Sequence, residues 1–130
     1  IMSRKKSREY AFRLVFEKFF HEPDTNFPDD MEDIVLEDED RDFVNYLIGG
    51  INQNYDSIME TIKTNTVGYE LERIYKIDLA ILVLAVFELK YGETPKNVVI
   101  NEAIELSKKY STDKSFSFIN GVLAKIVNEW

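Results

Sequence analysis

The chain has 130 residues, a formal net charge of -8 and 45% hydrophobic residues, which favours one folded domain over residues 1–130 and excludes a wholly disordered protein. It contains no cysteine, so disulfides, thiolate nucleophiles and thiolate metal sites are excluded. The longest apolar run, LAILVLAVF at 79–87, has about half the length of a membrane span, and no secretory signal pattern is present. We therefore expect a cytoplasmic protein that does not cross a membrane.

The first predicted helix runs from about Arg4 to Phe20. Its apolar residues form two stripes at helical spacing, one of Ala11, Leu14 and Val15 and one of Phe12, Phe16 and Phe20. Two stripes predict either a helix covered on two sides or a contact with a second copy of the chain, so a homodimer stays open. The helix ends before Pro23, in a loop with the only histidine, His21, which we expect to be ordinary surface.

An acidic stretch, DDMEDIVLEDEDRD at 29–42, leads into the second predicted helix at about 38–64. Carboxylates at a helix N-terminus interact favourably with its free amide groups and its dipole, so this stretch is expected to cap the helix. The apolar residues recur every three or four positions and predict one long helix or two abutting ones. Gly49 and Gly50 lie within the pattern, where each costs about 1 kcal/mol relative to alanine, so they predict close packing or a bend.

The second half of the chain is also predicted to be helical. The segment LERIYKIDLAILVLAVFELKYG at 71–92 indicates a short helix and then a helix from Asp78 that is apolar around nearly its whole circumference, as in the centre of a bundle. KNVVINEAIELSKKY at 96–110 and SFSFINGVLAKIVNEW at 115–130 each show one apolar face. No alternating strand pattern occurs. The sequence predicts an all-α fold, a compact bundle of about six or seven helices.

Asn101, Asn120 and Gly121 stand next to strongly apolar positions in the last two predicted helices. A buried amide must find hydrogen-bond partners, and a glycine allows another backbone to approach closely. We expect these three residues to join helices and to have no ligand.

Groups that could support catalysis are scarce. Histidine occurs once, and the sequence contains neither a glycine-rich phosphate loop nor a helical pair of metal-binding histidines. Most carboxylates lie in the acidic stretch or on helix faces predicted to meet solvent, so no acid–base pair is indicated. We expect a protein that is not an enzyme and that needs no cofactor or metal.

Three segments stand out for their residue combinations: VVINEAIELSKKYSTDKSFSFINGVLAKIV at 98–127, LERIYKIDLAILVLAVFEL at 71–89, and SREYAF followed by Phe16. The first resembles the C-terminal signature of the NusB family of transcription antitermination factors, the second its central segment and the third its N-terminal helix. The resemblance implies an all-helical RNA-binding protein with two three-helix subdomains and no catalytic centre. It also implies binding of boxA-type RNA together with the ribosomal protein NusE, in the RNA polymerase antitermination complex on ribosomal RNA operons.

The chain departs from the family pattern at three positions. The family often has an Asp-Arg pair near the start of the central helix and a later arginine, where this chain has Asp78, Leu79 and Val83. A tyrosine common in the N-terminal helix is replaced by Phe16, which keeps hydrophobic contact or stacking but cannot make a phenolic hydrogen bond. Whether these substitutions alter partner binding stays open.

A basic cluster opens this acidic chain. It consists of Arg4, Lys5, Lys6 and Arg8, with Arg13 further along the same predicted helix. Such a cluster is either a solubilising terminus or a surface for a polyanion. With the family resemblance, we expect these residues to contact RNA phosphates or to stack on unpaired bases. Lys114, just before the last helix, is a further candidate for RNA contact.

For the protein partner NusE, the resemblance points to Phe16, Glu72 and Asp78. Phe16 would supply an apolar anchor, and the two carboxylates would meet basic or hydroxyl groups. The alternative is structural, with Phe16 in the core and Asp78 as a helix cap.

Two alternative functions stay open at this point. The first is a NusB-like protein-interaction module without strong RNA recognition. The second arises because some ribosomal RNA cytosine methyltransferases carry a NusB-like domain, although we expect no cofactor-binding catalytic domain of the kind they need within these 130 residues.

Overall fold

The computed structural model describes residues 4–20, 36–66, 68 and 70–129, and most of these lie in five α-helices. The helices are α1 (Arg4–Phe19), α2 (Asp38–Thr64), α3 (Lys76–Tyr91), α4 (Lys96–Tyr110) and α5 (Ser115–Asn128), with a 3₁₀ turn (Leu71–Arg73) before α3. No strand occurs in these ranges, and the predicted all-α class is confirmed. Fewer helices are seen here than the six or seven predicted, because the short helix before α3 is one 3₁₀ turn and α2 is one kinked helix. The predicted loop with His21 lies outside the described residues.

The start of α2 shows what the acidic stretch does. Asp38, Glu39 and Asp40 occupy the first turn, where the helix dipole favours carboxylates. The Asp40 carboxylate accepts a hydrogen bond from the backbone N–H of Glu37 at 3.4 Å and another from the Ser7 hydroxyl of α1 at 3.3 Å. The predicted capping is confirmed, and the same carboxylate ties α2 to α1.

The two glycines of α2 have different surroundings. A Cβ atom at Gly50 would lie 2.3 Å from the Phe87 ring, whereas a Cβ atom at Gly49 would have nothing within 4 Å. Gly50 therefore lets α2 approach α3 closely. The kink is at Asn54, whose φ of -115° and ψ of 17° are not helical and whose side-chain amide donates to the Gly50 carbonyl at 2.8 Å. The predicted close packing occurs at Gly50, whereas the bend lies at Asn54 and not at either glycine.

Helix α3 is the centre of the fold. Every residue from Ile77 to Leu89 is buried, as the apolar circumference predicts. Helices α1 and α2 pack against each other and against α3, and α4 and α5 do the same, so two three-helix groups share α3. The Glu9 carboxylate of α1 also accepts hydrogen bonds from Lys109 and Tyr110 of α4, which joins the two groups directly.

The second aromatic stripe of α1 faces the interior of its own chain. Phe12, Phe16 and Phe20 are all buried, and the Phe12 ring centroid lies 5.3 Å from that of Tyr110 in α4. The stripe therefore presents no surface to a second copy. The two apolar stripes of α1, which left a homodimer open in the sequence analysis, therefore no longer indicate one.

The expectation for the two asparagines and the glycine of the last helices is wrong. Asn101, Asn120 and Gly121 are exposed, and a Cβ atom at Gly121 would have no neighbour within 4 Å. Consecutive residues of an α-helix are about 100° apart around its axis, so the burial of one residue does not bury its neighbour in the sequence. The core-facing neighbours here are Ile119 and Val122.

Candidate functional site

The start of α1 presents three exposed cations, Arg4, Lys5 and Lys6. The first turn of this helix contains no acidic residue, in contrast to α2. Free backbone N–H groups and the dipole already make a helix N-terminus positive, so cations there are unfavourable to the helix itself. A bound anion would be attracted by the side chains and by the helix end together. We call Arg4, Lys5 and Lys6 the cationic turn.

Arg8 is placed differently from the other cations. Its Nε donates to both carboxylate oxygens of Glu88 at 2.9 Å, and its Nη2 donates to the Thr94 hydroxyl at 3.2 Å. The side chains of Arg8 and Glu88 are only 7% and 4% exposed. This guanidinium fastens α1 to the end of α3 and to the connection before α4 through its Nε and Nη2 donors.

Arg13 and Lys114 lie apart from the cationic turn. The Arg13 Nε donates to Glu17 at 2.9 Å within α1, in a pair whose side chains are 28% and 44% exposed, and exposed pairs of this kind add little to stability. Lys114 is exposed immediately before α5. The structure therefore does not bring all six predicted RNA-binding residues onto one surface.

Lys114 lines a pocket of about 290 Å³ at the start of α3 and α5, which we call the Asp78 pocket. Its lining is Arg73, Ile74, Tyr75, Asp78, Thr112, Lys114, Ser115 and Phe118. The buried Asp78 carboxylate accepts hydrogen bonds from the hydroxyls of Ser111 and, at 2.9 Å, of Ser115. Burial raises the pKa of Asp78, while these two hydrogen bonds oppose the shift. Asp78 therefore joins α3 to the α4–α5 connection.

The three predicted partner-binding residues differ in accessibility. Phe16 is 1% exposed and lies in the core, and Asp78 is 5% exposed. Glu72, on the 3₁₀ turn, is exposed. Close to it in sequence, Tyr75 has 49% of its surface exposed at the rim of the Asp78 pocket. Glu72 and Tyr75 are therefore exposed enough to contact a partner directly, whereas Phe16 and Asp78 are not.

A second concave surface was not predicted from the sequence. This groove, of about 690 Å³, is lined by Arg4, Arg8, Phe43, Tyr46, Tyr91, Glu93, Thr94, Pro95 and Val98, and we call it the aromatic groove. Tyr46 falls one position before Leu47 of the apolar stripe of α2, which was a signal for an exposed aromatic residue. Its convergence with Tyr91 of α3 had no signal in the sequence, because it depends on how α2 and α3 cross.

The described part of the chain contains neither a metal-binding cluster nor a helix that could span a membrane. No group of three or more His, Cys, Asp or Glu side chains there is arranged to hold a metal ion. Within the same residues, no helix combines the length and apolar character that crossing a membrane requires.

The chain is similar to known proteins along nearly its whole length. The family model described as NusB family matches residues 5–128. A relative from Clostridium botulinum, named Transcription antitermination protein NusB, is 44% identical over 143 residues, covering 97% of this chain and 100% of the relative. A protein of the same name from Lachnoclostridium phytofermentans is 40% identical, covering 98% of this chain and 100% of that protein. A solved structure of T. maritima NusB is 30% identical, covers 98% of this chain and 92% of its own, and superposes with a TM-score of 0.83.

Proposed function

Because the chain belongs to the NusB family, we propose that it is a cytoplasmic transcription antitermination factor that binds boxA-type single-stranded RNA together with NusE. In this role it promotes processive transcription of ribosomal RNA operons within the RNA polymerase antitermination complex. The family is one of antitermination factors and not of enzymes. The observation that carries the RNA-binding part of the proposal is the cationic turn.

The cationic turn supports RNA binding because, among the described residues, its three cations form no ion pair of the kind that Arg8 forms with Glu88. Arg4, Lys5 and Lys6 are exposed at a helix end that is already positive, within a chain whose net charge is -8. Clustered positive charge on an acidic protein creates a local field that attracts a polyanion while the remaining surface repels it. The free N–H groups at the start of α1 can also bind phosphate groups of RNA.

The other predicted RNA-binding residues take different parts in the proposal. Arg8 positions α1 through Glu88 and thereby fixes the cationic turn. Arg13 lies on the same helix and contributes to its positive potential. Lys114 lies at the Asp78 pocket, where it would contact a more distant part of the RNA or the boundary between RNA and NusE.

The Asp78 pocket and the 3₁₀ turn are proposed as the NusE contact. Glu72 and Tyr75 supply an exposed carboxylate and an exposed aromatic ring, a combination suited to a basic and partly apolar partner surface. Phe16 and Asp78 act on this contact through the packing of α1 and α3.

The experiment compares binding of a boxA-containing RNA and a scrambled RNA, with and without purified NusE, over a range of salt concentrations. In the Lys5→Glu/Lys6→Glu variant, RNA affinity should fall, because two phosphate contacts are lost. The slope of log affinity against log salt should decrease by about 1.4, since each contact to single-stranded nucleic acid contributes about 0.7. NusE should increase the preference for the boxA sequence.

The matched control is Lys18→Glu/Lys63→Glu, which changes the net charge equally. Lys18 and Lys63 are exposed in the last turns of α1 and α2, and Lys18 is roughly 20 Å along α1 from the cationic turn at 1.5 Å per residue. This variant should bind RNA nearly as the unmodified protein does. Equal losses in both variants would reduce the interaction to nonspecific electrostatics.

A protein-interaction module without strong RNA recognition is the second candidate. The observation in its favour is that Arg8 is buried and that Arg13 pairs with Glu17, so two of the six predicted RNA-binding cations form ion pairs within the protein. NusE binding with no measurable affinity for boxA-containing RNA, alone or in the complex, would establish it.

A further inference from the structure

The aromatic groove concentrates exposed apolar side chains in one place. Five large hydrophobic residues are exposed in the described part of the chain, and three of them line this groove: Tyr46 at 49%, Tyr91 at 39% and Val98 at 37%. Single exposed apolar residues are common on protein surfaces, but a cluster in a concave site indicates a binding site. Packing of the core does not account for the exposure of these three side chains in one concave site.

Its rings are held in place by one another. Ring centroids lie 6.2 Å apart between Phe43 and Tyr46, 5.6 Å between Tyr46 and the buried Phe87, and 5.9 Å between Phe87 and Tyr91. The Tyr91 hydroxyl is also 2.9 Å from the Ser57 hydroxyl. Rings fixed in this way lose little conformational entropy when a flat ligand stacks on them.

Positive charge lies on two of the rings of the groove. The Arg4 guanidinium is 3.9 Å from the Phe43 ring centroid, and Lys90 Nζ is 5.6 Å from the Tyr91 ring centroid. A guanidinium that stacks on a ring with one face keeps its other face for a second flat group. Arg4 also belongs to the cationic turn, so the groove is continuous with the surface proposed to bind phosphates.

Glu93 is the one carboxylate among the described residues that line the groove. A carboxylate repels a phosphate but accepts hydrogen bonds from the amino group of a base. This arrangement suits a strand whose phosphates follow the cationic turn and whose base edges face Glu93. A purely apolar peptide would offer neither a negative group to Arg4 nor a hydrogen-bond donor to Glu93.

From these observations we infer that the aromatic groove is a stacking platform for unpaired bases of single-stranded RNA, with Tyr46 and Tyr91 as its principal rings and Arg4 linking it to the phosphates. This inference rests on the proposed RNA binding. Stacking of bases on aromatic rings tolerates many sequences, because every base has a π face. The groove would therefore add affinity for single-stranded RNA without selecting a particular sequence.

The test combines a protein variant with RNA that lacks single bases. Tyr46→Leu keeps an apolar side chain against Phe43 and Phe87 but removes the ring, and it should weaken boxA-containing RNA by roughly 5- to 150-fold, the range for one stacked base. An abasic substitution at the stacked nucleotide should weaken the unmodified protein similarly and should not weaken Tyr46→Leu further. Tyr46→Phe should bind as the unmodified protein does.

Phe116→Leu is the matched control, because Phe116 is 42% exposed and has Lys108 at 6.0 Å from its ring but lies outside the groove. Its RNA affinity should not change. Should Tyr46→Leu fail to fold, ultraviolet crosslinking of the unmodified protein to the same RNA decides the matter: crosslinks at Tyr46 or Tyr91 support the inference, and crosslinks confined to other residues overturn it.

Failure of the inference and failure of the proposed function give different results. Normal RNA binding by Tyr46→Leu overturns the stacking platform and leaves the proposed function standing. Loss of NusE binding with unchanged RNA affinity would make the groove a protein contact instead. Absence of RNA binding by the unmodified protein, with and without NusE, overturns both.

Discussion

Replacing Arg8 with methionine should destabilise the fold, and the size of the effect follows from the surroundings of Glu88. The two side chains are 7% and 4% exposed, with Nε of Arg8 at 2.9 Å from the carboxylate. Removing one partner of a buried ion pair leaves the other charge uncompensated, which costs about 3 to 5 kcal/mol. The Thr94 hydroxyl, 3.5 Å from the same carboxylate, remains as a hydrogen-bond donor. We therefore expect a loss near the lower end of that range for Arg8→Met.

Urea denaturation followed by far-ultraviolet circular dichroism measures this loss directly. A decrease of about 3 kcal/mol in the free energy of unfolding corresponds to a fall of about 10 °C in melting temperature for a domain of this size. The double variant Arg8→Met/Glu88→Leu removes both charges and should regain most of the stability, because apolar replacement of a buried pair is often neutral. Arg8→Lys keeps the charge without the planar donor geometry and should fall between the two.

The double variant also separates a structural role of Arg8 from a direct RNA contact. If it folds stably and binds boxA-containing RNA like the unmodified protein, Arg8 acts only through the position of α1. A loss of less than about 1 kcal/mol in Arg8→Met, within the range of an ordinary surface pair, would refute the argument that this ion pair holds α1 on α3. A stable double variant with weakened RNA binding would return Arg8 to the contact surface.

Two further predictions concern α2 and α3. Gly50→Ala should lower the free energy of unfolding by about 1 to 3 kcal/mol, because its Cβ atom would lie 2.3 Å from the Phe87 ring, whereas Gly49→Ala should raise it by about 0.5 to 1 kcal/mol; equal urea midpoints for the two variants would contradict this difference. For Asp78, burial raises the pKa above the ordinary value of 3.8, so the folded state binds the proton more tightly than the unfolded chain. Its contribution to stability is greatest below pH 3.8 and declines as the pH rises through the raised value. The stability of the unmodified protein relative to Asp78→Asn should accordingly decrease over that interval, and a difference independent of pH in urea denaturation would count against the assignment.

Much of the fold could be predicted because helices have local signatures. The periodic apolar residues of 38–64 predicted α2, and the apolar circumference of 77–89 predicted the buried centre of the bundle. The burial predicted for Asn101, Asn120 and Gly121 was wrong. Each lies next to apolar residues in the sequence, but whether it is buried depends on how its helix is rotated about its axis in the packed fold.

The candidate site could be predicted in part. Arg4, Lys5 and Lys6 are exposed as a basic cluster at a chain start suggests. The structure separates Arg8 from them, because Glu88, eighty positions away in the sequence, faces it across α1 and α3. The partner residues divide in the same way, with Glu72 accessible and Phe16 and Asp78 buried.

The sequence by itself determined the helical class, the capped start of α2 and the family resemblance, because each of these depends on residues close together in the chain. The tertiary structure alone decided which of the described cations are exposed, that the aromatic stripe of α1 is internal, and that Tyr46, Tyr91 and Arg4 share one groove. These properties depend on contacts between residues far apart in the sequence, and the crossing of packed helices sets those contacts.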